Sequence, residues 1–131
     1  MALNNKIALI TGCSGGIGKA SAIALGKLGC NVAVHYSQGS VAAGEIVEEL
    51  IGMGVRARAF QADFSDYDAV RRLYEEVVEA LGPIDILFNN AGVTNSRLGR
   101  GGNIEKVSLA EFEDTWKVNT GSGFLVSVVD F

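Results

Sequence analysis

Short apolar runs alternate with longer amphipathic ones along all 131 residues, the βαβ pattern of a parallel sheet with helices on its faces. Residues 6–11 (KIALIT), 31–35 (NVAVH) and 84–89 (IDILFN) are almost continuously apolar, as strands covered on both faces require. The third run in chain order, 55–61 (VRARAFQ), is interrupted by Arg56 and Arg58, and charges at alternate positions suit a sheet edge. Between the first two strands the spacing of Ala20, Ala24 and Leu28 predicts a helix over 17–28, ended by Gly29 in the left-handed conformation. A second helix is expected over 41–53 through Ala43, Val47 and Leu50. In the third, Val70, Leu73, Val77 and Leu81 form one stripe, with Arg71/Glu75 and Arg72/Glu76 spaced to pair outside it and Asp66 or Ser65 placed to cap its start. A fourth opens at Ser108 and Glu111, which have capping-box spacing, and runs through Phe112, Trp116 and Asn119 toward the C-terminus. Most of these apolar residues are expected in the core. Right-handed crossovers and the edge character of 55–61 predict the strand order 3-2-1-4, half of a doubly wound α/β sheet.

Composition narrows the classes of function. A hydrophobic fraction of 48%, 20% charged residues and 17 glycines describe one glycine-punctuated domain, which at this size buries roughly two thirds of its unfolded surface. The net charge of -4, with 11 basic residues forming no run, argues against nucleic acid or an anionic membrane as partner. Cys13 and Cys30 form no CxxC, so free thiols are expected rather than a disulfide or zinc site. No apolar stretch reaches the roughly 18 residues of a membrane span, and the start lacks a targeting core; a cytoplasmic protein is the expectation.

The candidate chemistry begins at residues 11–18 (TGCSGGIG), between the first strand and the first helix. There the first amides of the helix point outward without partners, and with the positive helix end they suit a pyrophosphate. Gly12 permits the turn, Gly16 lets the backbone approach an anion, and Gly18 lets the helix pack near the strand. Cys13 in this loop is not expected to be a nucleophile, because no histidine base can be placed beside it. An acid at the end of the second strand would bind the ribose 2′-hydroxyl of NAD and repel a 2′-phosphate; 35–40 (HYSQGS) has none, and Ser37 or His35 could donate to the phosphate. NADP is therefore expected over NAD, with Lys19 adding positive charge.

The G-x-x-x-G-x-G spacing, DFS at 63–65, NNAG at 89–92 and VN at 118–119 resemble, in that order, the motifs of the short-chain dehydrogenase/reductase family, and most nearly its 3-oxoacyl reductase branch. The resemblance covers nearly the whole chain but only about the N-terminal half of a typical member. It implies a Rossmann-like, truncated sheet and carbonyl reduction or alcohol oxidation with a nicotinamide dinucleotide. By it, Gly12, Ser14, Gly16, Ile17 and Gly18 line the phosphates and nicotinamide, and Asp63 contacts the adenine, next to Phe64. Asn90, Ala91 and Gly92 back the cofactor through their main chain. Asn119 matches the asparagine that distorts the fourth helix and holds a water in the proton relay. NADP-type members often carry a basic residue where Gly15 stands.

The family's Tyr-x-x-x-Lys and orienting serine are missing. Four residues after Tyr36, Tyr67 and Tyr74 stand Ser40, Arg71 and Val78; Tyr67 lies early in the chain, and Ser122 and Ser127 precede the place of the family's serine-bearing strand. The resemblance thus implies half of an enzyme, weak or inactive alone, ending near the helix before a fifth strand, with SVVDF as a replacement tail. The fourth strand would then offer an apolar unpaired edge to a second copy or a full-length relative, so that a non-catalytic nucleotide-binding or interaction module is the alternative. Residues 94–102 (TNSRLGRGG) are expected to form a loop near the pocket mouth.

Overall fold

The apolar runs become four parallel strands, β1 (Ile7–Ile10), β2 (Asn31–Tyr36), β3 (Ala57–Gln61) and β4 (Ile86–Phe88), in the expected order β3-β2-β1-β4. The computed structural model describes residues 2–94 and 102–128; most of the expected loop at 94–102 and the last residues of the tail lie outside them. Alternation along the strands sorts two cores. Ala8, Ile10, Val32 and Val34 face helices α1 (Gly16–Lys27) and α2 (Ser40–Gly52), where they meet Ala22, Ala43, Ile46 and Leu50. Ile7, Leu9 and Ala33 face α3 (Tyr67–Leu81), packing on Val70, Leu73 and Val77. Gly29 ends α1 at φ +92, and Ile46, rather than Val47, is the fully buried residue between Ala43 and Leu50.

Asp66 caps α3 by accepting from the Asp68 amide at 2.9 Å. The expected Arg/Glu pairs do not form. Arg71 reaches Asp68 at 2.9 Å and Arg72 reaches Asp66 at 3.6 Å, because helical side chains lean toward the N-terminus and two acids wait there. These exposed pairs add little stability.

The fourth helix is broken. After a 3-10 turn at Ile104–Lys106, α4 (Leu109–Trp116) opens with the expected capping box, Ser108 Oγ accepting from the Glu111 amide and Glu111 from the Ser108 amide. A π-helical segment, Lys117–Gly121, then leads into α5 (Ser122–Val128). Phe112 and Trp116 are not core: both are more than half exposed, as α4 buries no residue. Val126 of α5 joins the α3 core. Among the described residues strand β4 pairs only with β1, and its residues are half-buried. Among the described residues no helix is long and apolar enough to cross a membrane.

Candidate functional site

The segments leaving all four strands meet at one end of the sheet around a cleft of about 390 Å³. Its lining brings together Gly12, Ser14, His35, Ser37, Asp63, Phe64, Asn90, Ala91 and Gly92, with Gln38, Val93 and Val118. Gly16, Ile17, Gly18 and Asn119 are not among the lining residues; Ile17 is 71% exposed at the start of α1, and Gly18 is buried behind the loop. The cleft lies where the strand order reverses between β1 and β4, the switch point at which open α/β sheets receive ligands.

Close packing explains two of the glycines. Gly12 adopts φ +62, and a Cβ there would lie 2.7 Å from Ala91 Cα. A Cβ on Gly18 would strike the Gly12 carbonyl oxygen and lie 2.8 Å from Asn90 Nδ2. Thr11, not singled out from the sequence, locks the same junction. Its buried Oγ1 accepts from the amides of Asn90 at 2.9 Å and Ala91 at 3.0 Å, while Asn90 Nδ2 donates to the carbonyls of Thr11 and Gly12 at 3.1 and 3.0 Å. The available signal was a hydroxyl at the end of an apolar strand, where two loop amides need an acceptor.

The donor set fits an anionic dinucleotide. Gly15 precedes α1 without a side-chain cap, and the first turn carries no acid, which leaves amides and a positive helix end for a diphosphate. In the turn after β3, Asp63 Oδ1 accepts from the Ser65 amide at 2.9 Å and its hydroxyl at 2.8 Å. These bonds hold the exposed carboxyl below its ordinary range, and Oδ2 remains to accept from a base amine. Phe64 turns its ring into the core, so only its main chain is open to a ligand.

His35 is not a phosphate donor. The ring is 1% exposed, and both nitrogens are engaged: Nδ1 accepts from the Gly12 amide at 3.0 Å, and Nε2 lies 2.9 Å from the Ala62 carbonyl. A strand-end histidine faces inward here because the strand's alternation puts it on the α3 side with Ala33. Cys13 does have this histidine as a neighbour, its amide donating to the His35 carbonyl at 2.8 Å. The thiol nevertheless sits in the opposite core, directed to the Gly18 carbonyl at 3.4 Å. Burial pushes its pKa up to about 11, which leaves almost no thiolate to act as a nucleophile at neutral pH.

Asn119 lies within the π segment and clamps the exit from β4. Its Oδ1 accepts from the Val93 amide at 2.7 Å, and its Nδ2 donates to the Val93 carbonyl at 2.8 Å. One N–H and one lone pair of the side chain remain. Ser122 and Ser127 bond back to the carbonyls of Val118 and Gly123 within the helix, and Tyr67 sits against Gly121, away from the cleft lining.

Comparison with known proteins agrees with this geometry. The short chain dehydrogenase family model matches residues 6–129. Versicolorin reductase 1 from Dothistroma septosporum is 39% identical over 125 residues, which are 95% of this chain and 46% of that protein. A 3-oxoacyl-[acyl-carrier-protein] reductase from Synechocystis is 44% identical over 97 residues, 74% of this chain and 39% of that one. Among solved structures, a short chain dehydrogenase from Burkholderia cenocepacia J2315, crystallised in complex with NADP, superposes with a TM-score of 0.90 at 37% identity, covering 97% of this chain and 50% of that chain. The chain thus spans about half the length of the relatives it matches. With the sheet order, the cleft and the match from residue 6 to 129 in accord, the chain belongs to the short-chain dehydrogenase/reductase family.

Proposed function

We propose that the chain is the dinucleotide-holding half of an NADP-dependent oxidoreductase that interconverts carbonyls and alcohols, a single Rossmann-like domain over 1–131 that is incomplete for catalysis. The observation that carries this reading is the gathering of Gly12 and Ser14 of the glycine loop, Ser37 and Asp63 around one cleft at the switch point. When bound, the dinucleotide supplies or removes a hydride at its nicotinamide. The chain's own residues bind and orient it. The amides from Gly16 to Gly18 meet the pyrophosphate, with Gly12, Ser14 and Ile17 beside it. Asp63 accepts from the adenine amine, Phe64 contacts the base through its main chain, and Asn90, Ala91 and Gly92 form the backing wall. Asn119 holds that wall through Val93 and offers its spare N–H to a water.

Preference for NADP rests on the segment after β2, where Ser37 and Gln38 line the cleft and no carboxylate stands to repel a 2′-phosphate. The Burkholderia relative crystallised with NADP supports the same choice. Free, buried thiols at Cys13 and Cys30 suit a reducing cytoplasm. Protonating an alkoxide needs a positioned acid, and the chain carries no Tyr-x-x-x-Lys, so turnover by this polypeptide alone is expected to be very slow.

Titration calorimetry with NADP⁺ and NAD⁺, followed by NADPH oxidation over a panel of ketones, tests this. Binding with NADP⁺ the tighter, and slow turnover, is the expected result. No heat with either dinucleotide overturns the reading, and vigorous turnover overturns its claim about the missing acid.

A second reading draws on the outer side of β4, which pairs with no strand among the described residues. In it the chain is a non-catalytic nucleotide-binding module that docks through this edge on a second copy or on a full-length relative. Light scattering on the chain, alone and mixed with a full-length relative, separates the two: a monomer indifferent to that relative counts against docking.

A further inference from the structure

We propose that His35 is a positioning residue for the dinucleotide, a single imidazole that ties the glycine loop to the turn after β3 and so sets the phosphate-binding amides relative to the Asp63 carboxylate. The inference rests on the dinucleotide reading above. Gly12 and Asp63 line the same cleft, yet among the described residues no hydrogen bond joins 11–18 directly to 62–66. The ring joins them. Gly12 N–H donates to Nδ1 at 3.0 Å, and Nε2, at 2.9 Å from the Ala62 carbonyl, must carry the proton. Only the neutral Nε2–H tautomer satisfies both partners. Phe64, the residue after Asp63, stacks on the ring at 4.1 Å between centroids, which fixes its plane.

A proton on Nδ1 would set donor against donor at Gly12 and open the tie. Burial holds the ring neutral by lowering its pKa below the ordinary value. The charged or titratable groups on the surrounding elements have partners of their own. Asp63 is held by Ser65, Asp66 by the Asp68 amide and Arg72, Arg58 lies over Phe60, and the Cys13 thiol faces Gly18. None forms an ion pair with the imidazole. Dinucleotide affinity should therefore fall with acid as the ring gains its proton.

The test is NADP⁺ binding by calorimetry from about pH 7.5 down through the ring's own titration as NMR locates it, on the 131-residue chain and on His35→Asn. The asparagine oxygen can take the place of Nδ1 but cannot titrate. At the upper pH His35→Asn, which can keep the Gly12 bond but loses the one to Ala62, should bind ~3-fold or more below the wild type, and His35→Leu, which loses both, at least ~10-fold below it. Across the pH at which the ring takes its proton, the wild-type affinity should fall further than that of His35→Asn, the ligand phosphate's own titration being common to both. Nitrogen NMR of the ligand-free wild type, which depends on no variant folding, should give the Nε2–H tautomer and a Gly12 amide shift that follows the ring's titration. Parallel pH profiles, or the Nδ1–H tautomer, overturn the inference while the dinucleotide reading stands. Folded wild-type chain that binds no NADP⁺ at the upper pH overturns both.

Discussion

Thr11 and Asn90 hold each other from both sides: the Asn90 amide donates to Thr11 Oγ1 at 2.9 Å, and Asn90 Nδ2 returns a bond to the Thr11 carbonyl at 3.1 Å. The pair joins the ends of β1 and β4 where the cleft opens. Thr11→Val keeps the shape but strips two loop amides of their acceptor, which should cost about 1–3 kcal/mol. Thr11→Ser, which keeps the hydroxyl, should lose less. Urea unfolding monitored by circular dichroism measures both, and equal losses would show that the methyl group, not the oxygen, matters.

The glycines of the loop should separate into three kinds. Gly18→Ala places a Cβ against the backbone of Gly12 and Cys13, atoms that cannot rotate away, and overpacking of this sort costs about 1–3 kcal/mol. Gly16→Ala enters open space but at φ +56, a left-handed strain of about 1–2 kcal/mol. Gly15→Ala meets neither obstacle, since its φ of 178 is extended and nothing lies within 4 Å. Thermal unfolding of the three variants should place Gly15→Ala nearest the wild type.

Acid should weaken the fold through His35. In the unfolded chain the ring protonates near its ordinary 6.5, whereas the folded ring, with its pKa lowered, refuses the proton. Below that value the unfolded state binds more protons, so stability falls with decreasing pH, at up to about 1.4 kcal/mol per pH unit, until the folded ring titrates. At lower pH, Asp85, whose carboxyl Lys6 and the Ile7 amide hold below its ordinary value, loses its contribution in turn. Denaturant midpoints from neutral to acid pH check the slope, and His35→Asn should flatten its upper part.

Cys13 should resist thiol reagents in the folded chain. Its fully buried sulfur, with its pKa pushed up to about 11, leaves almost no thiolate at neutral pH. Cys30 is equally inaccessible and shifted in the same direction. Iodoacetamide labelling followed by mass spectrometry should give unmodified native protein and two adducts in denaturant.

The sheet order was legible because β1 and β2 are apolar on both faces and the arginines of 55–61 mark an edge. Of the cleft residues, Gly12 and Ser14 were legible in the glycine loop, Asp63 and Phe64 in DFS, and Asn90, Ala91 and Gly92 in NNAG, whereas Gln38, Val93 and Val118 were not. Other features depended on contacts that spacing does not carry. Thr11 reads as the last residue of a strand until the amides of Asn90 and Ala91 are seen to need it. His35 could be offered from the sequence only as a phosphate donor, since alternation alone does not say that Gly12 and Ala62 converge on its two nitrogens. Arg71 and Arg72 have glutamates at helical spacing, but Asp68 and Asp66 lie on the side toward which arginine leans. Phe112 and Trp116 follow a core-like spacing on a helix that the sheet layers do not cover.

The π segment from Lys117 to Gly121 carries a consequence for the phase of everything after it. One surplus residue in a helix advances all later side chains by about 100°. The advance is part of what turns Ser122 and Val126 of α5 inward. Removing a single residue there would tidy the helix into regular winding and, in doing so, rotate Val126 out of the core and Asn119 off Val93. At this place a deletion should be worse tolerated than any exchange of side chain.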